Sequence, residues 1–138
     1  MEKHKFGIVC VDDDIIISQV LSFQLKKIIN KNNTIVECFT SPKDVEANID
    51  ELINFGVELI FVIVDYQMPQ LNGAELIRII KAKHPSITCI MLSGQANEIL
   101  VNELKEEDLI QEFISKPWNE EELFRVLKPF LKKTLTEE

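Results

Sequence analysis

The sequence is poor in glycine, cysteine and positive charge, and each shortage excludes a class of protein. Its four glycines do not cluster, so the chain lacks a glycine-rich loop for a nucleotide or flavin phosphate. Three cysteines, Cys10, Cys38 and Cys89, show no metal-type spacing, and their apolar surroundings predict buried, reduced thiols of an intracellular protein. Only 15 basic residues face 23 acidic ones, and the net charge of −8 argues against direct binding to nucleic acid.

Long apolar runs are also missing. No stretch approaches the roughly 20 residues that span a bilayer, and the N-terminal segment 1–6 does not resemble a signal peptide. Hydrophobic residues make up 46% of the chain and charged residues 28%, as in soluble globular proteins. We therefore expect a cytoplasmic protein without membrane contact. Its single domain is expected over residues 1–138, with a core of about 5–135 and a tail or linker start at 136–138.

Short apolar runs alternate with segments of helical period, which predicts a parallel sheet covered on both faces. Right-handed crossovers between five such units give a doubly wound α/β fold. The strands are predicted near 6–11, 34–39, 58–64, 87–92 and 110–114.

Five helices are predicted between and after these strands. The first has an apolar stripe made of Ile17, Val20, Leu21, Leu25 and Ile28. The second begins after Ser41-Pro42 and ends near Gly56, and the third and fourth cover about 73–83 and 97–106. The fifth begins at Asn119, and Pro129 predicts a kink or an end near Lys128.

Polar side chains follow four of the apolar runs at the point where each predicted strand ends. They are Asp12-Asp13-Asp14, Asp65, Ser93 and Lys116. Doubly wound sheets bind ligands beyond the carboxyl ends of their strands. Two or three carboxylates gathered there suit Mg²⁺, which prefers oxygen ligands and keeps several waters. Asp14 alone fits better as the cap of the first helix.

This pattern favours phosphoryl chemistry. Beside a cation, Asp65 is a candidate nucleophile that would form an acyl phosphate. Lys116 would neutralise the transferred group, and the Ser93 hydroxyl would donate a hydrogen bond to it.

The chain resembles the receiver domain of two-component response regulators, CheY-like proteins, from about Lys5 to Leu135. The motifs that carry the resemblance are Val11-Asp12-Asp13-Asp14, Asp65-Tyr66-Gln67-Met68-Pro69 with Asn72-Gly73, Met91-Leu92-Ser93-Gly94, and Phe113-Ile114-Ser115-Lys116-Pro117. The resemblance implies a flavodoxin-like sheet with strand order 2-1-3-4-5 and five helices. It also implies a signalling switch rather than an enzyme.

The resemblance implies further that Asp65 accepts a phosphoryl group from a sensor histidine kinase or a histidine phosphotransfer protein. Asp12, Asp13 and Asp65, with the main-chain carbonyl of Gln67, look like ligands of Mg²⁺ or Mn²⁺. Ser93 and Lys116 resemble the switch hydroxyl and the conserved-type lysine of the family.

The remaining implications concern signal output, one peptide bond and the lifetime of the phosphoryl group. Phe113 occupies the position of a rotating aromatic, and the Lys116-Pro117 bond is expected to be cis. The face built from the fourth helix, fifth strand and fifth helix would regulate a downstream protein or an attached output domain. Gln67 and Gln95 occupy positions that tune phosphoryl lifetime.

Several features leave two interpretations open. Phe113 stands where tyrosine is more familiar, so it is either the rotating ring or a fixed core residue. The lengthened segment 46–57 is either a neutral surface insertion or a partner contact. Trp118 either packs at the start of the fifth helix or anchors an interface. Ile16 lies off the apolar stripe, so its exposed side chain is either incidental or a contact for the phosphodonor.

Three rival functions follow from other uses of the same residues. A haloacid-dehalogenase-like phosphatase would use Asp12 as nucleophile and Asp14 as acid and base, but Ile16 stands where that family has threonine or valine. A receiver-shaped scaffold that takes no phosphate would lack the acceptor, the acid pair or the lysine, and all are present. A flavin or nucleotide binder would need the missing phosphate loop.

Overall fold

Five parallel strands form one sheet in the order β2-β1-β3-β4-β5, which confirms the predicted flavodoxin-like order. The computed structural model describes residues 4–94 and 98–136. The strands are β1 (Phe6–Val11), β2 (Thr34–Phe39), β3 (Glu58–Asp65), β4 (Cys89–Ser93) and β5 (Glu112–Ser115). The two outermost strands, β2 and β5, each have one neighbour.

Helices cover both faces of this sheet and bury two separate apolar layers. They are α1 (Ile15–Leu25), α2 (Val45–Asn54), α3 (Gly73–Lys83), α4 (Glu98–Glu106) and α5 (Glu120–Thr136), with a 3₁₀ turn at Pro42–Asp44 before α2. One layer packs α2, α3 and α4 against the sheet, and the other packs α1 and α5 against the opposite face. Among the described residues, no helix is both long and apolar enough to cross a membrane.

Local signals fix most of the helix ends. The Asp14 carboxylate accepts hydrogen bonds from the backbone of Ile16 at 2.9 Å and Ile17 at 3.3 Å, so it caps α1 as expected. Asn119 caps α5 by accepting from Glu122 N at 2.7 Å. Gly56 has a φ of +86°, a conformation that glycine adopts without steric cost, and it follows α2 as predicted.

The predicted stripe of α1 was partly wrong. Leu21 and Leu25 are fully buried, but Val20 is 41% exposed, and Ile28 packs against the same core from beyond the end of the helix. Ser18, which was not part of the predicted stripe, is also buried. Because α1 is apolar around most of its circumference, its 3.6-residue period does not tell which side meets the sheet.

Of the two outcomes predicted near Lys128, a kink or an end, the structure excludes the end, because α5 continues through Pro129 to Thr136. Proline removes one backbone donor from the helix. Beyond it, Leu131 and Thr134 are fully buried, and Asn33 donates to the Thr134 carbonyl at 2.9 Å. These contacts stabilise the last two turns despite the lost hydrogen bond.

Smaller differences concern the strands and one cysteine. β3 includes Asp65 as its last residue, and β4 and β5 begin two residues later than predicted and end one residue later. Cys10 and Cys89 are buried as expected, whereas Cys38 is only half-buried because it lies on the edge strand β2.

Candidate phosphoryl-transfer site

Strand register brings Asp12, Asp65, Ser93 and Lys116 to one edge of the sheet. Val11 of β1 lies opposite Val64 of β3, so the acids that follow them stand side by side. Asp65 lies opposite Leu92, and Ser93 opposite Ser115. The residues singled out at the strand ends therefore meet at the carboxyl edge, where parallel doubly wound sheets bind ligands.

Three carboxylates form the centre of this edge. Oxygen atoms of Asp12, Asp13 and Asp65 all lie within 4.8 Å of one another. Asp12 is 1% exposed and Asp65 is 3% exposed, whereas Asp13 faces solvent. Two like charges at this separation repel by about 3 kcal/mol at an effective dielectric constant near 20. The cluster therefore needs compensating positive charge.

Lys116 supplies part of that charge. Its Nζ lies 2.7 Å from Asp12 Oδ2 and 3.1 Å from Asp65 Oδ1. Burial lowers the pKa of Lys116, but the two carboxylates raise it by a larger amount, so the net shift is upward. The ammonium group is therefore held in its charged form. The Lys116-Pro117 peptide bond is cis, as predicted.

One lysine does not balance three acids. Burial raises the pKa of Asp65 to about 6, and the charge of Asp12 raises it as well, against the opposing effect of Lys116. Asp12 Oδ2 is buried without an aligned hydrogen bond, although the lysine ammonium is near it. Oxygen donors with this excess of negative charge fit a hard divalent cation such as Mg²⁺.

An open cleft of about 390 Å³ borders the acids on the side of α3. It is lined by Asp13, Tyr66, Gln67, Met68, Pro69 and Asn72. The predicted ligand Gln67 has an exposed side chain in the turn directly after β3. The cleft therefore reaches the acid cluster at Asp13, the one of the three carboxylates that faces solvent.

Gly73 lets the start of α3 approach this turn closely. Its backbone N–H donates to the Tyr66 carbonyl at 2.7 Å. A Cβ atom at position 73 would lie 2.5 Å from the main-chain oxygen of Asp65, so any larger residue would displace the strand end. Sequence reasoning noted Asn72-Gly73 but gave Gly73 no role. Its position eight residues after the acid was the available signal.

Ser93 ends β4, the strand next to the one that carries Asp65, and Phe113 lies on the edge strand β5. Ser93 is 2% exposed, and its carbonyl accepts a hydrogen bond from Lys116 N at 2.9 Å. Phe113 lies opposite Met91 and is half-buried against the layer formed with α3 and α4. Gln95 lies outside the described residues.

An apolar groove of about 260 Å³ adjoins the site on the side of α1. It is lined by Ile17, Val20, Gln24, Lys116, Pro117 and Trp118. The Trp118 indole donates to Gln24 Oε1 at 2.8 Å, so the ring is tied to α1 while still facing the groove. Ile16 and Phe23 are 66% and 65% exposed on the same helix. Sequence reasoning singled out Ile16 and Trp118 but missed Val20 and Phe23.

Comparisons with known proteins agree with this geometry. The family model described as response regulator receiver domain matches residues 8–128. This chain is 34% identical to the nitrogen assimilation regulatory protein NtrX of Azorhizobium caulinodans over 82 residues, which are 59% of the chain. Over 89 residues, 64% of the chain, it is 32% identical to the sensor kinase CckA of Brucella abortus. The chain spans 18% and 9% of the length of these two relatives.

A solved structure extends the comparison to the fold. The response regulator receiver domain protein from Clostridium thermocellum is 25% identical to the chain, with a TM-score of 0.74. The likeness covers 93% of this chain and 95% of that one.

Proposed function

Since the chain belongs to the response regulator receiver domain family, whose members are phosphoryl-accepting switches of two-component signalling, we propose that Asp65 is its phosphoacceptor. The donor is a phosphohistidine of a sensor kinase or of a phosphotransfer protein. One observation carries the assignment. Asp65 is the acid that ends β3 and contacts Lys116 at 3.1 Å, and it shares one cluster with Asp12 and Asp13.

The transfer uses the Asp65 carboxylate as nucleophile. A carboxylate oxygen forms a bond to phosphorus while the bond between phosphorus and the donor imidazole nitrogen breaks, and the electron pair stays on the imidazole. The product is an acyl phosphate. Lys116, already placed between Asp12 and Asp65, neutralises the charge of the transferred group.

Asp12, Asp13, Asp65 and the main-chain carbonyl of Gln67 would hold Mg²⁺ or Mn²⁺. When bound, the cation offsets the charge of the acids and of the phosphoryl oxygens. The chain's own contribution is to fix the acids. Asp14 N donates to Asp12 Oδ1 at 2.9 Å, and Asp12 N donates to the Phe39 carbonyl at 3.0 Å.

Phosphorylation is read out through Ser93 and Phe113. The Ser93 hydroxyl donates to the new phosphoryl group, and Phe113 moves into the space that it leaves, which changes the face made of α4, β5 and α5. Inverting a 1:99 equilibrium needs about 5.5 kcal/mol. A single hydrogen bond gives about 1 kcal/mol, so the charged contacts of Lys116 and of a bound cation would either supply the difference or leave the inversion incomplete. This face would regulate a downstream protein or an attached output domain.

A small-molecule phosphodonor tests the assignment directly. With an acyl phosphate or phosphoramidate and Mg²⁺, intact mass should increase by one phosphoryl group, and Asp65→Asn should abolish the increase. Asp50→Asn is the matched control, because Asp50 also contacts a lysine but belongs to α2, outside the acid cluster. Equal labelling of the Asp65→Asn variant, or no effect of chelation, would contradict the proposal. Labelling on Asp12 would favour the phosphatase instead.

The donor docks on the exposed face of α1. Ile16, Val20 and Phe23 follow one another at i, i+4 and i+7, so they lie on one side of the helix, and all are exposed. The groove against Trp118 continues this surface to Lys116, which contacts the acceptor. An amphipathic helix that presents a phosphohistidine would cover this surface with its apolar side.

A comparison of two phenylalanines tests the docking surface. Phe23→Ala should slow transfer from the phosphohistidine protein that labels the wild type fastest, and it should leave labelling by the small-molecule donor unchanged. Phe55→Ala is the control, since Phe55 is 61% exposed but directly follows α2. Equal transfer rates for the Phe23→Ala and Phe55→Ala variants would remove α1 from the interface.

A further inference from the structure

Two of the three cysteines lie directly opposite each other on neighbouring strands. The register of β1 and β2 pairs Cys10 with Cys38. Residues in register on adjacent strands project to the same face, and both side chains pack in the apolar layer beneath α1 and α5. Cys89 lies in the other layer, beneath α2, α3 and α4, so the sheet separates it from this pair.

We propose that Cys10 and Cys38 form a reversible oxidation site, which closes to an intrachain disulfide when a hydroperoxide reaches Cys38. This inference is independent of the phosphoacceptor assignment, because it involves neither the acids nor Lys116.

Strand geometry allows the bond but strains it. Neighbouring strands lie about 4.8 Å apart, within the range of about 4.4–6.8 Å between Cα atoms that disulfides span. The Cβ atoms must approach to about 3.5–4.5 Å, which requires the strands to move closer at this position. β2 is an edge strand, so β1 is the only strand whose pairing opposes this movement. A strained disulfide is more easily reduced, which makes it reversible.

The two thiols differ in access and reactivity. Cys10 is 1% exposed, whereas Cys38 is half-buried. Hydrogen bonding with the Cys10 thiol lowers the pKa of Cys38, and contributions from Ser22 and from the charge of Lys26 act in the same direction against burial. The thiolate is the reactive form of cysteine, so Cys38 reacts first and Cys10 second.

The oxidation balances with hydrogen peroxide as the co-reactant. The Cys38 thiolate attacks one peroxide oxygen, the O–O bond breaks, and the departing hydroxide takes up a proton to become water. The Cys10 sulfur then attacks the sulfenic sulfur of Cys38. The S–S bond forms while the S–O bond breaks, and the second oxygen leaves as water with the Cys10 proton. Two thiols lose two electrons, and one peroxide is reduced to two waters.

Peptide mapping of the full chain tests the proposal. The native protein is treated with hydrogen peroxide, denatured without reductant and alkylated. We expect a monomer that has lost two hydrogens, a peptide linking Cys10 to Cys38, and alkylation at Cys89 alone. A thiol reductant should restore alkylation at all three positions. The wild-type map needs no variant, so the result does not depend on a substituted protein folding.

Two variants provide matched controls. Cys89→Ser should form the same link, because Cys89 lies on the other side of the sheet. Cys38→Ser should leave Cys10 reduced. The proposal is overturned if all three thiols stay alkylatable in the wild type, if Cys38 is oxidised further without linking to Cys10, or if the link joins two chains or includes Cys89.

Discussion

Two lysine–aspartate pairs have nearly equal distances between nitrogen and oxygen, but the pKa of the aspartate shifts upward in one pair and downward in the other. Lys116 Nζ lies 3.1 Å from Asp65 at the carboxyl edge of the sheet, and Lys83 Nζ lies 2.9 Å from Asp50 between α2 and α3. Burial raises the pKa of Asp65 to about 6. Hydrogen bonds from His84 and Lys83 lower the pKa of Asp50.

The surroundings of each pair explain the difference. The side chains of Lys116 and Asp65 are 20% and 4% exposed, and Asp12 adds a second buried negative charge. The side chains of Lys83 and Asp50 are 52% and 34% exposed, so water solvates both charges. An ion pair therefore does not indicate by itself whether an acid is stabilised. At Asp65, desolvation and a neighbouring acid outweigh the lysine, which leaves a carboxylate that gains from binding positive charge.

Removing each lysine should show the largest contrast. In chelator near neutral pH, Lys116→Met should lower the free energy of unfolding by about 3 kcal/mol, because it leaves buried carboxylates without a counter-charge. Lys83→Met should change it little, because exposed pairs contribute little. Urea unfolding measures both. Similar losses in the two variants would mean that burial does not distinguish the pairs.

The second-largest contrast should be in the stabilisation that Mg²⁺ provides. At a concentration about 100 times its Kd, Mg²⁺ should stabilise the wild type by about 2.7 kcal/mol. Asp50→Asn should keep this gain, and Asp12→Asn should lose most of it, since Asp12 belongs to the acid cluster. Thermal unfolding with and without Mg²⁺ provides the measurement. A full gain in the Asp12→Asn variant would argue against the cluster as the cation site.

Neutralising the acceptor should stabilise the metal-free protein. With its pKa raised to about 6, Asp65 is ionised near neutral pH in a site that disfavours its charge. Asp65→Asn should therefore raise the free energy of unfolding by about 1–2 kcal/mol, after allowance for solvent screening. Asp50→Asn should lower it slightly. A loss of stability in Asp65→Asn would show that Lys116 already outweighs the repulsion.

The smallest expected effect is that the contributions of Asp65 and Asp50 to stability depend on pH in opposite directions. The folded-state pKa of Asp65 exceeds the ordinary value of 3.8, so its contribution to stability is lost as the pH rises from about 4 to about 6. The pKa of Asp50 is lowered, so its contribution is present above 3.8 and is lost as the pH falls through the folded-state pKa. The gain from Asp65→Asn should accordingly vanish near pH 4. A gain that does not change with pH would have another cause.

Sequence patterns predicted the elements well but not the side chains that face outward. The strands β1 and β2 and the helix α3 have the predicted bounds, because periodicity, the Asn72 cap and the residues after each run are local signals. The exposure of Val20 and Phe23 was missed, since α1 is apolar on more than one side and only docking selects the buried side. The sequence left open whether α5 ends at Pro129 or continues past it, because distant contacts of Leu131 and Thr134 decide between the two.

The sequence by itself determined which residue types end each strand, and the parallel order of the strands then required Asp12, Asp65, Ser93 and Lys116 to meet. Only the tertiary structure decided how their proximity changes their pKa values and their contacts. The pKa of Asp65, the close approach of Gly73 to the strand end and the opposition of Cys10 and Cys38 all depend on distances of a few ångströms between segments far apart in the chain. Desolvation and charge repulsion vary steeply over such distances, and no local pattern encodes them.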